Sequence, residues 1–177
     1  MLLPSLILFF LFLLLSAFFS SSETAFISST PYKLKHLEKT GNKKAKLVRK
    51  MAAKVDDLLA TILIGNTLVN AATASIATSI FVSFIPDKNQ AVLYATILTT
   101  FLILIFSEIT PKTYAAYNPV KLSLLYVHPL RFFVLVFFPL VKAFTVLSRL
   151  IFPLPARQNH LYAKFLLENL SDNQSGN

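Results

Sequence analysis

Three long stretches of the chain carry no charged side chain, and each is bounded by a short polar break. Residues 2–22 are uncharged, 58–85 run for 28 positions without a charge, and 91–107 for another 17. About 20 apolar residues suffice to carry a helix across a bilayer. The pattern therefore predicts three transmembrane helices, over about 2–25, 57–85 and 91–115. The last two are separated by "PDKNQ" at 86–90, which reads as a polar turn. Residues 31–54 are polar, with apolar positions on one side only (Leu34, Leu37, Leu47, Val48, Met51), the pattern of interfacial helices. Thr30 before Pro31 reads as an N-cap and first helical position, and "TGN" at 40–42 as a break before a second short helix.

The last apolar stretch, residues 122–154, is different. Arg131, Lys142 and Arg149 recur along it, and Pro129, Pro139 and Pro153 interrupt it. No length between charges reaches a bilayer's thickness, so broken interfacial helices are expected over about 120–154, with a fourth span as the competing reading. The polar residues 156–177 are expected to form a disordered cytoplasmic tail.

Composition agrees with the pattern. Hydrophobic residues make up 55% and charged residues 14% of 177, with a mean hydropathy of +0.63. The fold class is an all-α integral membrane protein. No cysteine is present, so no disulfide framework exists. A cleavable signal peptide competes for the first stretch, but "MLLPSLI" lacks the positive segment such peptides need.

Net charge is +9, and nine of the 17 basic residues lie between Lys33 and Lys54, opposed there by Glu38 alone. Such a cluster beside a span marks a cytoplasmic loop. The expected topology is multi-pass in the cell membrane, with the N-terminus outside and the C-terminus in the cytoplasm. Nucleic acid is set aside as a partner, because Tyr32 is the only aromatic residue near the cluster and anionic lipid headgroups account for it more simply.

Each span carries one oxygen-rich cluster: "SSSET" at 20–24, "GNTLVN" at 65–70 and "SEIT" at 107–110. At 1.5 Å per residue, Ser20 lies about 22 Å below residue 5, and Glu108 about 25 Å below Ala91. Asn66 lies about 13 Å above Asp57. In a core about 30 Å thick all three clusters fall in the inner half of the membrane. Serine, threonine and asparagine can be packing glue, which also fits "NAATASIATS" at 70–79. Glu108 is harder to explain so, since a charge within a span costs at least about 2.5–3.5 kcal/mol and is usually kept for a cavity, an ion or a partner such as Lys112.

Pro111 has no N–H to give the carbonyl of Ser107, which frees a backbone oxygen beside that carboxylate. Gly65 permits close approach of a helix or an ion to its backbone. Asn66 and Asn70 share a helix face. Ser16, Ser20 and Glu23 or Thr24 form a stripe, whereas Ser22 points about 200° from Ser20 unless the first helix is kinked or widened. Hydroxyl, amide, carboxylate and carbonyl oxygens, with the histidines elsewhere, favour a hard cation, Mg²⁺ or Na⁺, over zinc or copper.

The three motifs "FFSSSETAFISSTPYKLKHLEKTGNKKAKLVRKM", "ILIGNTLVNAA" and "SEITPKTYAAYNP" resemble, in order and spacing, the transmembrane domain of the CorC/CNNM family of magnesium transporters, over about residues 5–155. The resemblance implies three spans with juxtamembrane helices, a C2 homodimer, and dehydrated Mg²⁺ held between the spans. Export coupled to Na⁺ entry is the activity it implies. Carried over by motif, Ser20 and Ser22 would be the hydroxyl ligands, Asn66 and Asn70 the amide ligands, and Glu108 the carboxylate. Ser107, where the family often has glycine, would offer its carbonyl. The family's Ser-Gly-Ser is here Ser20-Ser21-Ser22. Its members usually continue into CBS domains that bind adenine nucleotides, whereas this chain reaches Asn177 without them. The expected function is Mg²⁺ transport, and the alternative is a non-transporting membrane anchor or Mg²⁺-sensing scaffold. No enzyme is expected, since no nucleophile with an adjacent base and no phosphate loop is evident.

Overall fold

The computed structural model describes residues 2–151. All its elements are helical: α1 (Leu2–Ser28), α2 (Pro31–Lys39), α3 (Lys43–Ala52), α4 (Val55–Val82), α5 (Lys88–Leu102), a π-helical segment (Ile103–Ile109), α6 (Thr110–Tyr117) and α7 (Pro119–Ile151). The first 140 residues or so pack as one unit, ending at Val141, and Lys142 onward groups separately. The expectations for 152–154 and for the tail 156–177 lie outside the described residues.

Local chemistry sets the breaks. Thr30 occupies the N-cap of α2 without a side-chain capping bond, and Pro31 follows it. At the other end of α2, Gly41 takes φ +87°. Its N–H reaches the Glu38 carbonyl, and that of Asn42 the Leu37 carbonyl, both at 3.0 Å. This is a left-handed C-terminal cap, a conformation glycine adopts without steric cost. Asn42 at once caps α3, its side chain accepting from Lys44 and Ala45 N–H. Asp87 caps α5 in the same way through Asn89 and Gln90 N–H.

The core joins α1, α2, α3, α4 and α7 through Phe19, Leu34, Val48, Ile62 and Leu130. A smaller cluster of Ala25, Ala115 and Leu122 ties α1 to α6 and to the start of α7.

The breaks expected at Pro129 and Pro139 are not there. Helix α7 runs unbroken through Pro129 and Pro139. A proline costs one backbone bond, but in an apolar setting abandoning the helix would strand several polar groups, which costs more. Arg131 stays exposed, so its charge does not oppose the helix. Among the described residues, four helices are thus long and apolar enough to cross a membrane: Leu2–Ser28, Val55–Val82, Lys88–Tyr117 and Pro119–Leu147.

Contacts along α7 have a consistent placement. Near its start, Ser123 Oγ receives the Ser29 hydroxyl at 3.0 Å, beside the C-terminal end of α1. At Val141 it lines a cavity with Lys50, Lys54 and Asp57, at the N-terminal end of α4. Both helix ends flank the α2–α3 segment, although 18 residues of α-helix advance about 27 Å.

Candidate metal site

Gly65 sets the spacing between α1 and α4. A Cβ there would lie 2.5 Å from a ring carbon of Phe19, and Phe19 is fully buried. The hydrogen atom of glycine lets the tip of the ring reach the α4 backbone. One turn away, that approach puts Ser16 against the next residues of α4. The Ser16 hydroxyl lies 2.9 Å from Asn66 Oδ1 and 2.6 Å from Asn70 Oδ1, a single donor shared by two acceptors. Asn70 Nδ2 then reaches Glu108 Oε1 at 3.5 Å. Oxygens from α1, α4 and the π-segment thus meet in one place.

The π-segment positions the third group. Thr110 N–H bonds the Ile105 carbonyl, five residues back, and Pro111 has no N–H to offer. The carbonyls around Phe106 and Ser107 therefore lose an ordinary helical donor, and such widened turns are frequent at functional sites. Ser107 is fully buried, and its hydroxyl donates to the Leu13 carbonyl at 2.8 Å. Its side chain pins the segment to α1.

Ser20, one turn beyond Ser16 on the same face of α1, is completely buried and its hydroxyl has no hydrogen-bond partner. An unsatisfied buried hydroxyl costs about 1–3 kcal/mol. A cation seated among Ser20, Asn66 and Glu108 would offset that cost. Ser22 is equally buried and unpartnered. Helix α1 is uninterrupted through 20–22, so Ser22 projects about 200° from Ser20, away from the other oxygens. The widening needed to bring both serines to one site is found on the third long helix instead. The Ser21 hydroxyl donates back to the Ala17 carbonyl at 2.7 Å and lies 3.1 Å from that of Phe18, so it is satisfied within its own helix.

Lys112 is not the partner of Glu108. Its Nζ lies 3.1 Å from Glu23 Oε2, and among the described residues Glu108 has no ion pair. No three His, Cys, Asp or Glu side chains gather anywhere among the described residues. A metal held here would rest on one carboxylate and neutral oxygens, the donor set of a hard cation. Sequence reasoning passed over Ser16 as a site residue, although its place in the serine stripe was a signal. It also gave no sign that a phenylalanine would fill the space at Gly65.

Comparison with known proteins gives the family of the chain. The model of the cyclin M transmembrane N-terminal domain, CNNM, matches residues 6–175. A UPF0053 protein of Haemophilus influenzae is 43% identical over 137 residues, which are 77% of this chain and 32% of that protein. The UPF0053 inner membrane protein YfjD of Escherichia coli is 40% identical over 109 residues, 62% of this chain and 25% of that protein. A chloroplastic DUF21 domain-containing protein of Arabidopsis thaliana is 34% identical over 134 residues, 76% of this chain and 20% of its own length. The chain spans a third or less of the length of these relatives.

Proposed function

The chain belongs to the cyclin M (CNNM) transmembrane-domain family and is a multi-pass membrane protein, and on that premise we propose that it carries Mg²⁺ through a dehydrated-ion site between its first three long helices. The carrying observation is that Ser16 joins Asn66 and Asn70, and Asn70 reaches Glu108, while the Ser20 hydroxyl one turn along α1 is buried without a partner and Lys112 is engaged elsewhere. A fixed set of oxygens from separate helices, one of them locally widened, is the kind of midplane site that alternating access exposes to either side. Efflux driven by Na⁺ entry is the proposed direction. Ser22 would join the ligands only if α1 widens when the ion binds.

The finer topology belongs to the same proposal. Three helices cross the cell membrane with the N-terminus outside, and α7 lies along the cytoplasmic face, as its contacts at Ser123 and Val141 support. The proposed assembly is a C2 homodimer. On α4, Ala71, Ala74, Ser75 and Ser79 are exposed, and Ser75 returns its hydroxyl to the Ala71 carbonyl at 2.9 Å. That leaves a smooth face of small residues suited to close helix packing. Light scattering in mild detergent should report two chains.

One observation favours the anchor or scaffold instead: Ser16, Asn66, Asn70 and Glu108 bond to one another and could simply hold helices together. Flux decides between the two. Proteoliposomes containing a Mg²⁺-sensitive dye should show Mg²⁺ movement that depends on an opposing Na⁺ gradient and is abolished by Glu108→Gln. Protein that inserts and dimerises normally yet moves no Mg²⁺ would leave the scaffold reading.

A further inference from the structure

Between α3, the first turns of α4 and the middle of α7 lies a cavity of about 350 Å³. Its charged rim is made by Lys50, Lys54 and Arg131, with Asp57 the single acid. None of the three cations makes an ion pair among the described residues, since the two salt bridges present are Arg49–Glu38 and Lys112–Glu23. Its wall is hydrocarbon: Leu47, Met51, Leu58, Val134 and Phe138. A second concavity shares Arg131, Val134 and Phe138 and continues the apolar surface past Phe132 and Leu135.

We propose that this groove holds one anionic phospholipid, its phosphate between Lys50, Lys54 and Arg131 and its acyl chains along α7. Two properties select this occupant. Three unpaired cations against one acid call for an anionic ligand, and the continuous apolar wall beneath them calls for a long hydrocarbon portion. A free phosphate uses only the first property and an uncharged lipid only the second. With α7 along the cytoplasmic face, the reading proposed above on which this assignment rests, the groove lies at the base of α4, at the depth where headgroups meet acyl chains, and juxtamembrane lysines and arginines favour anionic lipid there. The bound lipid would wedge α7 against the base of α4. This assignment is independent of ion transport.

The test uses the whole chain, delipidated in detergent, with thermal unfolding followed as dioleoyl phosphatidylglycerol or dioleoyl phosphatidylcholine is added. Phosphatidylglycerol should stabilise the parent in a saturable way at stoichiometric ratios, and neither phosphatidylcholine nor soluble glycerol phosphate should match it. Arg131→Gln should weaken the apparent affinity roughly fivefold, and adding Lys50→Gln and Lys54→Gln should remove the preference. Val134→Phe, which narrows the groove and keeps its charges, should weaken it too. Lys43→Gln with Lys44→Gln, in the same basic segment but outside the groove, should not. Equal stabilisation of the parent by both lipids would overturn the proposal, leaving the groove to some other occupant. So would equal loss in the Lys43/Lys44 variant, which would mark a diffuse surface attraction, or full activity of glycerol phosphate, which would mark a phosphate site.

Discussion

Lys112 and Glu23 face each other at 3.1 Å between α6 and α1, and that pairing leaves the Glu108 carboxylate without a cation. The two are joined on a part-exposed surface, with side chains 40% and 39% exposed. Exposed pairs contribute about 0–1 kcal/mol. Glu23→Gln and Lys112→Gln should each lower thermal stability by no more than that, and the double variant by little more than either single one. Both should keep a Mg²⁺-dependent rise in melting temperature. Loss of that rise in Lys112→Gln would mean that the lysine organises the ion site after all.

Gly65 makes a sharper demand. Gly65→Ala drives a methyl group into the ring of buried Phe19, and overpacking of this kind costs about 1–3 kcal/mol. Phe19→Leu in the Gly65→Ala background should recover part of the loss, because the smaller side chain makes room. Unfolding of the three proteins in one detergent checks this, and equal stability of Gly65→Ala and parent would show that α1 and α4 are not held as close as described.

Orientation and the lie of α7 are tested together by impermeant labelling of single cysteines in intact cells. Cysteine at Asn89 should react from outside, and cysteines at Asn42, Lys121 and Lys142 should not. If α7 crosses instead, Lys142→Cys alone would join Asn89→Cys, since 21 residues of helix advance about 31 Å.

The uncharged runs made α1, α4 and the third long helix visible in the sequence, because lipid leaves little freedom in how a span is composed. Helix α7 was misread for an equally physical reason. Proline and charge counts describe a cost per residue, while continuity depends on what Pro129 and Pro139 would expose by breaking the helix. Asn66, Asn70 and Glu108 stood out by chemistry and depth. The link through Ser16 did not, because it depends on the interhelical distance that Phe19 and Gly65 set together. The widened turn was legible only as a requirement, and Pro111, not the serine triplet, marked where it falls.

The central claim is that Glu108 is a ligand and not a structural partner, and the response of melting temperature to Mg²⁺ tests it most directly. An ion that binds only the folded protein stabilises it by about 2.7 kcal/mol at a hundredfold excess over Kd. The parent should show such a rise, Asn66→Ala should lose much of it, and Glu108→Gln nearly all. Without Mg²⁺, Glu108→Gln should be at least as stable as the parent, because an unpaired carboxylate in a low-dielectric site is itself costly. A Glu108→Gln protein that is less stable without Mg²⁺ yet responds to the ion as fully as the parent would contradict the account and leave Glu108 a packing residue.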